Sequence, residues 1–267
     1  MKIALKFLLR STLQIISRFS SSILTLLELE ITRVQGKGFA SNSQSQEVSS
    51  VGKFIDSMNL MNLCLFDVGA NLGEYSLNFI KKYPNSEVHL FEPQTGCFEY
   101  LKSLFGSDSN IHLHKYGISR KSGLGNLFYN SSNNQVSSLL DRDLTFSDLI
   151  FDGKETVNLI SLDEFIERTG ILPIVLKLDI EGSELDALMG TTTNLSRIPI
   201  IQFEFGGANK DSRTFFIDFW KFFEKFDFSI FRITPLGTSR IYKYSELDEY
   251  FLSTNYLAIN NRFHKPE

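Results

Sequence analysis

Across residues 63–205, short apolar or β-branched runs alternate with stretches of helical spacing, and few architectures accept that rhythm. The runs cover 63–68, 88–91, 111–116, 174–178 and 200–205. Helical spacing marks 74–82, 96–105, 162–168 and 184–189. Runs this apolar suit strands buried on both faces, and a helix between two such strands carries the chain back so that they pair in parallel. The expectation is an α/β fold, a Rossmann-like, mostly parallel sheet with helices on both faces.

The flanks differ from this core. Leu5, Leu9, Leu13, Ile16, Phe19, Ile23, Leu27, Ile31 and Val34 recur at three- and four-residue steps, so residues 1–35 read as an amphipathic helix. Arg18, Glu28 and Glu30 interrupt the stretch, which argues against a signal peptide or a spanning helix. Residues 36–50, rich in Gly, Ser, Asn and Gln, read as a linker, and 51–267 as the catalytic domain, opening with a short helix near 51–58. A polar stretch at 130–135 reads as a loop at the edge of the sheet. Phe215, Phe216, Phe219, Trp220, Phe222, Phe223 and Phe226 read as a helix buried against the sheet, followed by strands near 228–233 and 256–259.

At 267 residues the chain has room for one α/β domain and a short appendage. A net charge of -4 supplies no general field for phosphates, so no nucleic-acid partner is expected. Cys64 and Cys97 lack metal-site spacing and read as reduced, mostly buried thiols, which fits a cytoplasmic compartment.

Chemistry concentrates at strand ends. Asp67-Val68-Gly69-Ala70-Asn71-Leu72-Gly73 leaves a buried strand and enters a helix, where bare backbone lets a nucleoside cofactor approach. The Gly69 to Gly73 spacing departs from the dinucleotide fingerprint. The strand ends in an acid, Asp67, which repels a pyrophosphate and tolerates the ammonium and sulfonium of S-adenosylmethionine. The next strand ends in Phe91-Glu92-Pro93, where a carboxylate offers two oxygens to two ribose hydroxyls. Leu178-Asp179-Ile180-Glu181-Gly182-Ser183-Glu184 places acids around a glycine turn at the same edge. Asp179 and Glu181 are the catalytic candidates there, while Glu184 reads as a first-turn helix residue. His89, His112 and His114 are weaker candidates for a base, the latter two sharing a strand face. Asp179 and Glu204 lie at adjacent strand ends but fix no third ligand, so no metal is expected.

These blocks resemble the FkbM family of methyltransferases. The resemblance rests on Asp67 through Ser76, Phe91-Glu92-Pro93, Gly117-Ile118-Ser119, Ile160-Ser161-Leu162-Asp163-Glu164-Phe165 and Lys177 through Glu184. It implies a class I methyltransferase fold of seven strands with the last one antiparallel, S-adenosylmethionine as cofactor, and O-methylation of hydroxyls on sugars, glycans or natural products. The cofactor-binding set it implies is Asp67, Gly69, Ala70, Asn71, Gly73, Glu92, Pro93 and Ile118. Ile118 departs from the family's usual alanine. The helix at 1–35 and the linker lie outside the resemblance. Two rivals are a nucleotide-cofactor oxidoreductase on a similar sheet and a non-catalytic binding module of the same fold. A glycan or small-molecule acceptor is the expected partner, and the basic polar side of the first helix points to peripheral association with the inner face of a membrane.

Overall fold

The computed structural model describes residues 2–19, 21–38, 44–131, 133–144 and 150–264. Its main sheet has eight strands. These are β1 (Cys64–Val68), β2 (Glu87–Phe91), β3 (Ile111–His114), β8 (Val175–Leu178), β9 (Ile200–Phe205), β10 (Phe228–Thr234), β11 (Gly237–Ile241) and β12 (Thr254–Asn260). The order across the sheet is β11-β10-β12-β9-β8-β1-β2-β3. β1 pairs in parallel with β2 and β8, and β8 with β9. β12 runs antiparallel to both β9 and β10, as the resemblance implies, and β11 is an additional edge strand beyond the seven expected.

β1 lies where the strand order reverses direction, with β2 on one side and β8 on the other. The carboxyl ends of such neighbours diverge and open a crevice, the standard ligand position in open α/β sheets. The crossover helices are α4 (Glu74–Lys82), α5 (Thr95–Phe105), α6 (Leu162–Thr169) and α7 (Glu184–Met189). α6 shows why such segments stop and start where they do. Ser161 Oγ accepts the Glu164 N–H at its start, and Gly170 takes φ 73° at its end, where a side chain would be strained.

The aromatic run forms α9 (Phe216–Lys225). Phe216, Phe219 and Phe223 share one face and are fully buried, with Phe219 stacked on Phe203 of β9 at 5.0 Å. Each such ring contributes roughly 1.5 to 3 kcal/mol by leaving water, so this face fixes the helix on the sheet.

Two segments differ from their sequence reading. The chain between β3 and β8 is a second, four-stranded sheet of β4 (Gly117–Ile118), β5 (Gly123–Asn130), β6 (Asn133–Ser138) and β7 (Gly153–Ile160). The polar stretch at 130–135 is the turn and start of its β5–β6 hairpin, except for residue 132, which lies outside the described residues. Polar composition hid these strands because they carry little buried surface to impose an alternating pattern.

The segment read as a linker is also partly structured. α3 (Gln44–Ser57) begins ahead of Val51, so a domain boundary at that residue falls inside a helix. Its polar side chains are partnered by the domain: Gln46 Nε2 donates to the Thr234 and Pro235 carbonyls, and Glu47 Oε2 accepts from Gln202 Nε2 at 2.5 Å. Residues 39–43 of that segment lie outside the described residues. Within the segment read as one amphipathic helix, the described residues form two helices, α1 (Lys2–Phe19) and α2 (Ser21–Val34), and none of the residues of α2 is buried. Among the described residues, no helix is long and apolar enough to cross a membrane.

Candidate active site

The crevice at the switch point is a cavity of about 470 Å³. Its wall includes Gly69, Ala70 and Asn71 from the loop after β1, Glu92 and Pro93 after β2, Ile118 on β4, and Asp179, Glu181 and Glu204 after β8 and on β9. Eight of the residues expected at the cofactor or the chemistry therefore converge: Gly69, Ala70, Asn71, Glu92, Pro93, Ile118, Asp179 and Glu181. Asp67 and Gly73 do not line the wall.

The loop is set by backbone geometry. Gly69 takes φ 78°, and a Cβ there would stand 1.9 Å from the Asp179 carbonyl oxygen, so only glycine lets the ends of β1 and β8 approach this closely. The N–H groups of Gly69 and Ala70 both donate to the Phe91 carbonyl, at 3.0 and 3.2 Å. Gly73 serves packing instead. It takes φ 77°, and a Cβ there would meet Phe105 and Leu101 of α5 at under 3 Å.

Glu92 is 3% exposed, yet its carboxylate is on the wall. Oε2 accepts the Asn71 N–H and Oε1 the Gln94 N–H, each at 2.8 Å. Burial pushes its carboxyl up to about 7, with those two backbone donors opposing the rise. A carboxylate has about four acceptor positions, so one on each oxygen remains for a ligand hydroxyl. The cavity wall also carries apolar groups suited to a purine face, among them Ile118, Phe91 and Leu127.

Asp67 sits behind the wall, fully buried, because its charge is used by the protein itself. Lys177 Nζ is 3.2 Å from Asp67 Oδ1 and 3.5 Å from Asp179 Oδ2, and Ser76 Oγ donates to Asp67 Oδ2 at 2.7 Å. Burial alone would lower the Lys177 ammonium's pKa; Asp67, Asp179 and Glu47 outweigh it and hold the ammonium charged. The same cation lies 5.0 Å from the centre of the Tyr75 ring, and Tyr75 Oη donates to Gln202 Oε1. Sequence reasoning assigned Lys177 no role. The signal was present, since a lysine inside the apolar run of a central strand demands a buried counter-charge.

The part of the wall after β8 and on β9 is acidic. Glu181 Oε2 is 2.7 Å from Arg142 Nη1, and Arg142 Nε is 2.9 Å from Asp211 Oδ2. Glu181 takes φ 51°, and its carbonyl accepts from Ser138 Oγ at 2.8 Å, so the left-handed turn is fastened to the small sheet. Its carboxyl is pushed up to about 7 by burial and by Asp179, with Arg142 acting against both. Glu204 is held well above the usual carboxylate range by burial and then by Asp179, Glu181 and Glu184. Glu184 is the turn residue the sequence indicated: its carboxylate accepts the N–H groups of Ile180 and Gly182. Arg142 had no sequence signal, because its partners are 39 and 69 residues away.

Gln44, at the start of α3, also reaches the wall, and its Oε1 is buried with no hydrogen-bond partner among the described residues. His89, His112 and His114 are absent from the wall and stack with one another on β2 and β3.

An acid after β2, a glycine loop after β1 and acids after β8 thus gather in one crevice at the carboxyl edge of a doubly wound α/β sheet, where folds of this class bind ligands. Comparison with known proteins makes the assignment specific: the chain belongs to the family of the methyltransferase FkbM domain, whose model matches residues 67–230. It is 27% identical over 143 residues to Methyltransferase 1 of Beauveria bassiana, covering 47% of this chain and 57% of that protein. It is 28% identical over 145 residues to the hexuronic acid methyltransferase AglP of Haloferax volcanii, covering 51% and 53% respectively. The chain thus spans little more than half the length of these relatives. Among solved structures, the plantazolicin methyltransferase BpumL in complex with SAH superposes with a TM-score of 0.43 at 10% identity, covering 88% of this chain and 98% of that one.

Proposed function

We propose that the protein transfers a methyl group from S-adenosylmethionine to a hydroxyl of a sugar, a glycan or a related natural-product intermediate. The observation that carries this reading is two carboxylates lining one cavity: Glu92 with two acceptor positions left for a ribose diol, and Glu181 held by Arg142. The wall fits the cofactor in size and in chemistry, with apolar groups near Ile118 for the purine and the unpartnered Gln44 Oε1 as an acceptor for an ammonium.

When bound, S-adenosylmethionine supplies an electrophilic methyl carbon on a sulfonium. The chain's own work is to orient the two reactants in line and to manage one proton. Glu181 takes the acceptor's proton at Oε1, since Oε2 is held by Arg142; a group poised near 7 is suited to this at neutral pH. Asp179 supports the methionine end of the cofactor, with its charge balanced by Lys177. Asp67 is a positioning residue that acts through Lys177. Glu204, held protonated, keeps the acidic wall from becoming a cluster of full charges.

The amino-terminal helices belong to the same reading. Phe7, Leu8 and Leu9 on α1 are more than half exposed, and Lys6 and Arg10 flank them. Exposed apolar side chains bracketed by cations fit the surface of an anionic membrane, where lipid-linked glycan acceptors reside.

The test of the reaction is incubation with methyl-labelled cofactor and extracted glycans and lipids, followed by mass analysis of the labelled product. Label on a hydroxyl oxygen of a glycan or lipid-linked sugar is expected. Label confined to nitrogen or carbon would overturn O-methylation while leaving the cofactor assignment standing.

A further inference from the structure

At the amino-terminal ends of the strands, away from the cavity, Cys64 begins β1, Glu87 begins β2 and pairs with Cys64 in register, and His89 follows two residues later on the same face. Their donor atoms all lie within 4.8 Å of one another. Glu87 Oε1 is 3.1 Å from His89 Nε2 and 3.3 Å from the Nε2 of His112, which is the register partner of His89 on β3. We propose that Cys64, Glu87, His89 and His112 form a binding site for a zinc-class divalent ion that clamps the amino-terminal ends of β1, β2 and β3.

The donor set has the right chemistry. Thiolate, imidazole and carboxylate are the zinc ligands of proteins, usually four in a tetrahedron. At metal–ligand distances of about 2.0 to 2.3 Å, neighbouring donors of a tetrahedron are roughly 3.3 to 3.7 Å apart. The two imidazole–carboxylate separations are already close to this spacing. Cys64 closes the remainder by side-chain rotation. Binding displaces the thiol proton from Sγ to solvent and leaves both ligating imidazoles neutral.

A second layer is in place as well. His89 Nδ1 is 2.9 Å from His114 Nε2, and the rings stack within 3° of parallel. A ligating histidine needs a partner for its other nitrogen, to fix its tautomer and its orientation. With His89 Nε2 on the ion, Nδ1–H donates to His114. Phe165 of α6 packs edge-on against His89 and His114 and holds this pair from the interior side. The other side supplies an entry path, because the side chains of Glu87 and His112 are 47% and 41% exposed. The buried His89 and Cys64 would thus be reached through two mobile ligands at the surface. Sequence spacing gives no sign of such a site, because its ligands come from three strands, each contributing one or two residues, so no short motif exists to read.

The experiment uses the full chain without a histidine tag, stripped by chelator and titrated with Co²⁺ as a spectroscopic probe, then with Zn²⁺ against a chromophoric chelator. The wild-type protein should take up one equivalent with a thiolate-to-cobalt charge-transfer band and melt at a higher temperature with Zn²⁺. Cys64→Ser should abolish the band. Glu87→Gln and His112→Asn, at partly exposed positions that should leave folding intact, should each weaken Zn²⁺ by at least about 10- to 100-fold, the range typical of losing even an outer partner of a metal ligand. Absence of the band in the wild-type protein, its persistence in Cys64→Ser through Cys97, or unchanged affinity in both surface variants would each overturn the site.

Discussion

Arg142 Nη1 lies 2.7 Å from Glu181 Oε2 while its Nε holds Asp211, so the acid assigned to the acceptor proton is fixed by a cation with no freedom to turn away. Burial raises the Glu181 carboxyl and Arg142 restrains the rise to about 7. Turnover should therefore increase as pH rises through 7, since the base must be ionised. Replacing Arg142 with Gln should move that limb to higher pH by at least about one unit, because an adjacent cation typically shifts a carboxyl by 1 to 3. A pH–rate profile checks both. A profile left in place by Arg142→Gln would mean that another group titrates.

Glu181→Gln should lower turnover by about 10² to 10⁴, the usual worth of general-base help, and leave S-adenosylhomocysteine affinity nearly intact. Asp179→Asn should impair both, because Asp179 lines the cavity and balances Lys177. Near-full turnover in Glu181→Gln, measured with the authentic acceptor, would reduce that residue to a turn former.

Lys177→Met should destabilise the protein by about 3 to 5 kcal/mol, the typical cost of leaving a buried charge without its partner. Asp67 is fully buried and retains only the Ser76 hydroxyl once the ammonium is gone. Denaturant unfolding measures the loss, and Lys177→Met combined with Asp67→Asn should recover part of it. A loss below about 1 kcal/mol would show that the pair does not hold the site.

Stability should fall as pH rises above neutrality. Glu47, Glu92, Glu181 and Glu184 are each pushed up to about 7 by burial, so the folded state binds protons that the unfolded chain has released. Their contribution is full below the unfolded value of 4.5 and is lost as pH rises through about 7. His89 and His114, lowered by burial, act in the opposite sense, and only below their unfolded value of 6.5. Melting temperature should therefore drop between about pH 6.5 and 8.5 at constant ionic strength, and less steeply in Glu47→Gln. A flat or rising curve would contradict the burial of these acids.

The strands and helices of the main sheet were legible because burial on both faces writes itself as uninterrupted apolar runs, as at β1 and β9. The acid after β2 and the turn after β8 were legible because a cofactor edge is made of consecutive residues. What was hidden depends on distant partners or on polar surface. α3 is polar where it joins Gln202 and the cavity, so Gln44 and Glu47 resembled linker. Asp67 was assigned to the cofactor, while the structure gives its charge to Lys177, a partner 110 residues away.

Association with anionic membranes should depend on α1. The full chain should co-sediment with vesicles containing phosphatidylglycerol, less so at high salt, and Lys6→Glu with Arg10→Glu should weaken the partition at least about tenfold, each cation near such a surface being worth about 1 kcal/mol. Equal sedimentation of the two proteins would remove the membrane from the account.

The central claim is that Glu92 holds the ribose of S-adenosylmethionine in this cavity, and calorimetric titration with S-adenosylhomocysteine tests it most directly. The wild-type protein should bind one equivalent. Glu92→Ala, with thermal melting confirming its fold, should bind more weakly by about 1 to 3 kcal/mol, the cost of removing a charged acceptor from two hydroxyls. Unchanged affinity in a folded Glu92→Ala, or a wild-type protein that binds a dinucleotide and not S-adenosylhomocysteine, would contradict it.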